Sequence, residues 1–133
     1  MRQSERGQIT VMTIGFFLVI ALLGVVVVDA SHVFLERREL DNLADGAALV
    51  AADALDEDAF YTTGAVVADS RSVRRRVAQY VTGSGSRVVA VRMTGDHITV
   101  RLERTMDLAL TPPGFPAQAT IASEASSQLR SGG

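Results

Sequence analysis

The sequence predicts an α+β fold, a long N-terminal helix that is first apolar and then amphipathic, packed on a small antiparallel sheet, with one short extra helix. Three observations predict it. No charged residue occurs between Arg6 and Asp29, and the run from Ile9 to Val28 is almost wholly aliphatic. Neither proline nor a glycine-rich turn interrupts the chain from Val28 to Phe60, where apolar residues recur at alternating spacings of three and four. Beyond residue 85 the period changes to two, in segments bounded by glycine and proline. The chain has 133 residues, enough for one small module once the apolar run is set aside.

Each element follows from its own pattern. As a helix, residues 9–28 rise ~30 Å, the thickness of a bilayer's hydrocarbon core. Thr10 and Thr13 can return their hydroxyls to the preceding turn, so nothing in the run is costly in lipid. A module this small cannot surround a helix that is apolar on every side, which argues against a soluble core helix. Two alternatives stay open at its ends. Val28-Asp29-Ala30 offers a small-residue cleavage pattern, so the run can be a signal peptide cut after Ala30. Left intact, it is a single-pass anchor. Arg2 and Arg6 precede the span, and Arg37 and Arg38 follow it, a nearly even count. Short N-terminal flanks usually stay inside, which places residues 1–8 in the cytoplasm and the C-terminal hundred outside.

Residues 29–60 read as a continuation of the same helix, with Leu40, Leu43, Ala47, Val50 and Ala54 as one packing stripe. Gly46 interrupts good helix formers at ~1 kcal/mol against alanine. The surrounding Ala44, Ala47, Ala48, Ala51 and Ala52 serve equally as helix formers and as a small-residue face for close approach. Residues 61–129 form the head. "DSRSVRRRVAQYV" predicts a short helix capped by Asp69 or Ser70, with Val73, Val77 and Tyr80/Val81 inward and Arg74, Arg75 and Arg76 on a solvated face. Gly83-Ser84-Gly85-Ser86 ends it. Val89, Val91 and Met93, then Ile98, Val100 and Leu102, predict a hairpin with one apolar face, turning at Thr94-Gly95-Asp96-His97. "LTPPGFPAQ" is a loop. Ala119, Ile121, Ser123 and Ala125 then alternate with polar residues as a third strand, and the stripe of the long helix can cover the sheet. The tail at residues 130–133 has nothing to bury and is expected to be mobile.

The span ending in Val28-Asp29, then Arg37-Arg38-Glu39-Leu40, then Ala44-Asp45-Gly46-Ala47-Ala48-Leu49, resembles the N-terminal region of the TadE/TadG-like proteins of Flp (tight adherence) pilus assembly. That family pattern sets an aspartate at the membrane exit, a leucine eleven residues on, and an aspartate in an alanine-rich box five residues after that. Asp29, Leu40 and Asp45 keep both distances; Arg38, Ala47, Ala48 and Leu49 complete the motif. Asp41 stands where a glutamine is common, and Gly46 where an alanine is common. The resemblance covers about residues 6 to 55 and implies a pilin-like architecture in a small, minor-pilin-like or pseudopilin-like member. It also raises a processing junction at Gly7 and Gln8, since pilin-type precursors are cut after a glycine before the apolar helix. The fifth residue after that cut is Met12, where pilins usually place a glutamate, so cleavage and an uncleaved anchor both stand.

Composition and spacing exclude more chemistry than they suggest. Cysteine is absent, which removes disulfides, thiolate metal sites and a cysteine nucleophile. All thirteen basic residues are arginines, scattered along a chain of net charge -2, which gives no field for nucleic acid. His32 and His97 have no second ligand at metal spacing, and His32 is expected to pair with Asp29 one turn away. Asp53, Asp56, Glu57 and Asp58 lack the glycine turn and ligand order of a calcium loop and read as a solvated helix end. No nucleophile elbow or phosphate loop occurs. The expectation is a non-enzyme with no catalytic residue, metal, cofactor or small-molecule substrate, whose partners are the lipid bilayer and other pilin-like subunits or pilus-assembly membrane proteins. A membrane-anchored binding module and a secreted effector released after Ala30 are the alternatives.

Overall fold

The computed structural model describes residues 2–61, 70–108, 111 and 114–129. It is α+β, as the sequence predicts. One helix, α1 (Arg2–Tyr61), runs for 60 residues without a break. A second, α2 (Ser70–Val81), leads into an antiparallel sheet of β1 (Ser86–Thr94), β2 (His97–Asp107) and β3 (Gln118–Gln128) in the order β1-β2-β3. α1 extends beyond the predicted segment at both ends and takes in residues 2–8. The Asp69 cap, the residues 62–69 at the start of the head, the side chain of Asp58, part of the proline-rich loop and the tail at 130–133 lie outside the described residues.

The core forms where the amphipathic part of α1 crosses the sheet. Leu40, Ala44, Ala47, Ala48, Ala51, Ala54 and Leu55 are buried against Val73, Val77 and Val81 of α2 and Ile98, Val100 and Leu102 of β2. Of the predicted stripe, Leu40, Ala47 and Ala54 are buried, and Leu43 and Val50 are half-buried at its margin. The buried face is therefore wider than the stripe and rotated towards the alanines, because two layers cover it: the sheet on one side and α2 on the other. Alanine at these positions lets both approach the helix backbone closely.

The sheet departs from the expected alternation at one place. Val88 pairs with Leu102 and Ala90 with Arg101, so Val89 is the extra residue of a β-bulge. The bulge shifts the phase of β1. Val88 and Val91 pack on the core, while Val89 and, at the end of the strand, Met93 are exposed, which corrects the expected place of both on the apolar face. Two adjacent valines offer the inward position two equally apolar occupants, and the bulge selects the first. Gly95 closes the hairpin at φ 63, a left-handed conformation that a side chain resists. β3 follows its predicted alternation, with Ile121 and Ala125 inward.

The direction of the sheet relative to α1 follows from two polar ties. Arg104 of β2 reaches Glu36 and Glu39, and Ser123 of β3, paired with Leu102, reaches Asp41. Moving from Arg104 back to Leu102 thus moves towards the C-terminus of α1. β2 runs along α1 towards the apolar segment, and the Thr94–His97 turn points away from it.

Candidate assembly interface along the long helix

The apolar segment has no cover. Ile9, Val11, Met12, Phe16, Phe17, Leu22, Leu23, Val26 and Val27 each expose more than half of their surface, and the most apolar window of the helix is 0% buried. A core helix of a soluble protein would be enclosed; this helix is long and apolar enough to cross a membrane and has no partner for that face among the described residues. Its polar groups satisfy themselves. Thr13 Oγ1 donates to the Ile9 carbonyl at 2.8 Å, and Ser31 Oγ to that of Val27 at 2.8 Å. Gly7 and Gln8, the candidate junction, lie exposed in the early turns of α1.

Asp29 ends the uncharged run, and its Oδ1 is buried without a hydrogen-bond partner. The expected pair with His32 is not formed; His32 is exposed. A shallow groove on this side of α1 is lined by Val26, Asp29, Ala30, Val33, Phe34 and Arg37. The helix itself explains the geometry: side chains three and four apart share a face, and these six follow that spacing.

The remaining motif residues divide between two faces. Leu40, Ala47 and Ala48 are sealed in the head's core. Arg38, Asp45 and Leu49 are exposed and, seven and eleven residues apart, fall on one line along the helix. Leu35 and Asn42 lie on the same line and are also exposed. Among the described residues neither Arg38 nor Asp45 forms an ion pair.

Gly46 lies between these faces, under Tyr80 of α2. A Cβ there would stand 2.9 Å from Tyr80 Cζ and 3.1 Å from Cε1, closer than carbon atoms pack. The departure from alanine at this position thus admits an aromatic ring. Asp41, the other departure, accepts a hydrogen bond from Ser123 Oγ and ties α1 to β3.

Sequence reading missed the strongest polar tie. Arg104, 8% exposed, donates from Nη1 to Glu36 Oε2 at 2.7 Å, from Nη2 to Glu39 Oε1 at 3.4 Å and from Nε to Ser86 Oγ at 2.9 Å. Burial alone would lower the guanidinium's pKa; the hydrogen bonds to Glu36 and Glu39 outweigh it and raise the pKa above the ordinary arginine value. All three partners stand so far from Arg104 in sequence that no local pattern signals them. Of the arginine run, Arg74, Arg75 and Arg76 are exposed, and Arg76 pairs with Glu57 at the far end of α1. His97 lies 3.4 Å from Asp96 in the hairpin turn. Among the described residues no three histidine or carboxylate side chains converge as a metal site would need.

With this geometry in place, comparison with known proteins covers one part of the chain. Residues 7–54 match the family of putative Flp pilus-assembly TadE/G-like proteins. The match takes in the uncovered segment, Asp29, the exposed line and the buried alanines, and ends before α2 and the sheet. It bears out the resemblance read from Asp29, Leu40 and the Ala44–Leu49 box. No curated protein and no solved structure matches the chain.

Proposed function

We propose that the chain is a membrane-anchored structural or accessory component, of minor-pilin or pseudopilin type, in a Flp/Tad-type pilus or a related secretion apparatus. It acts by helix packing and carries out no chemistry. The N-terminus lies in the cytoplasm, the span crosses the bilayer once, and the head stands outside. The observation that carries the reading is the division of the family motif on α1. Leu40, Ala47 and Ala48 are sealed in the chain's own head, whereas Arg38, Asp45 and Leu49 are exposed, and among the described residues Arg38 and Asp45 form no ion pair. A recurring position on an outward line is explained by a neighbouring helix. The line's spacing of three and four, from Leu35 to Leu49, is that of a helix-packing seam.

The absence of cysteine makes the test direct. Single-cysteine variants Leu49→Cys and Asp45→Cys, expressed in the native host, are cross-linked in the intact membrane and compared with Thr120→Cys on the outer face of the sheet. Cross-linking to pilin-like subunits from the α1 line, and not from the sheet, supports the reading. A protein that stays monomeric under both treatments overturns it. The N-terminal residue of the same material settles processing. A start at Gln8 means pilin-type cleavage, an intact N-terminus means a permanent anchor, and a start at Ser31 in the medium refutes membrane assembly in favour of a secreted protein.

A further inference from the structure

The outward line on α1 continues beyond Leu49. Asp53 and Asp56 stand four and seven residues further on, so Asp45, Leu49, Asp53 and Asp56 share one face over ~16 Å. Leu49 is 59% exposed, Asp45 and Asp53 are exposed, and Asp56 is half-buried. Among the described residues none of the three carboxylates forms an ion pair. The face is an apolar side chain framed by negative charge.

The same chain carries the complement at the same height. α2 lies alongside this part of α1, since its Tyr80 covers Gly46 and its Arg76 pairs with Glu57. Arg74 and Arg75, next to Arg76, therefore stand near the level of Asp53 and Asp56, and Gln79, next to Tyr80, near that of Asp45. Both arginines are exposed, and the exposed Ala78 follows them by four and three residues, which puts all three on one side of α2. A small residue bordered by two positive charges is the inverse, in shape and in sign, of Leu49 bordered by aspartates. Within one chain the two faces do not meet, because α2 turns Val73, Val77 and Val81 into the core it shares with α1.

We propose that the arginine face of α2 in one copy docks on the acidic line of α1 in the next, with Leu49 seated over Ala78 and with Arg74 and Arg75 reaching Asp53 and Asp56. The occupant is a second copy because the complementary charge is carried by this chain itself, and because copies anchored at equal depth in one bilayer hold the two faces level. The contact joins unlike surfaces, so each copy in a row keeps one face for the next and the contact repeats. The inference rests on the membrane-assembly reading above and names the surface that meets the α1 line.

Asp45→Cys and Gln79→Cys leave Leu49, Ala78 and both charge pairs in place. Full-length chains carrying one or the other, separately tagged, are reconstituted together into phosphatidylcholine vesicles and treated with a short thiol cross-linker. The expected product joins the two cysteines, exceeds the product of Asp45→Cys with itself, and diminishes at high salt. Charge reversal is the second measurement. Asp53→Arg with Asp56→Arg in the first chain, or Arg74→Glu with Arg75→Glu in the second, should each lower the yield about tenfold, and both together should restore it. Restoration also shows that the variants fold; without it, the unmodified-charge cysteine pair decides. Absence of that cross-link, a dominant Asp45→Cys self-product, or a yield that either reversal leaves unchanged overturns the inference. If Asp45→Cys joins pilin-like subunits in the native host while the pair stays silent in vesicles, this inference falls alone. Silence in both overturns the assembly reading with it.

Discussion

Replacing Gly46 with alanine sets helix propensity against packing, and the two have opposite signs. Alanine in a helix interior is worth ~1 kcal/mol over glycine. The added methyl, however, would lie 2.9 Å from Tyr80 Cζ, so the ring must swing away from α1. Tyr80 is 47% exposed, so about half of its surface is at stake. For a ring burying about 100 Å² at ~25 cal/mol per Å², leaving costs ~2.5 kcal/mol. The net expectation for Gly46→Ala is a loss of ~1.5 kcal/mol, which lowers the head's melting temperature by about 6 to 12 °C. In a Tyr80→Ala background the clash is gone, and the same substitution should stabilise by ~1 kcal/mol. The assay is thermal unfolding of the full chain in detergent micelles, followed by near-ultraviolet circular dichroism and by hydrogen exchange at the Leu102 amide. Stabilisation by Gly46→Ala in both backgrounds would refute the reasoning, since Tyr80 would then move aside at no cost.

Arg104→Ala strips Glu36 and Glu39 of their shared partner and opens a gap between helix and sheet; because both carboxylates are partly exposed, the expected loss is ~2 to 3 kcal/mol, less than for a fully buried pair, read by the same unfolding assay. Asp96 is held below the usual carboxylate range, first by the Gln128 side-chain hydrogen bond. A depressed folded-state pKa contributes stability above the unfolded value and loses it as pH falls through the folded one, so Gln128→Leu should move the Asp96 carboxyl titration upward when followed by NMR. Ala47→Leu and Leu49→Ala separate the two faces of α1. The first overpacks a buried site and costs ~1 to 3 kcal/mol of head stability, while the second leaves stability within about 0.5 kcal/mol and reduces cross-linking to neighbours.

The long helix was legible because its signals are local. An uncharged run followed by spacings of three and four, without proline, leaves the backbone no reason to turn between Val28 and Phe60. The extent of its buried face was not, since alanine is chosen alike for propensity and for close packing. Ala44, Ala51 and Ala52 look the same in sequence whether or not something lies on them. The hairpin was legible from its alternation, but Val88-Val89 fits two phases and the bulge is set by what α1 and α2 leave room for. The candidate interface was half visible. The spacing of Asp29, Leu40 and Asp45 marked the helix, but which motif residues face inward depends on where the head docks. That docking depends on Arg104 meeting Glu36, a pairing across 68 positions that no window of sequence contains.

An unbroken α1 also makes the head's azimuth a matter of residue counting. With no hinge between the span and Leu40, the head is keyed to the shaft, and turning the span about its axis turns the head through the same angle. Inserting one residue between Asp29 and Glu36 would swing the whole head by ~100° and lift it ~1.5 Å, with every internal contact of the head intact. A chain built this way presents its surfaces on a fixed bearing. Any partner of the head would therefore meet it from one direction, so that direction as well as chemistry would decide what binds.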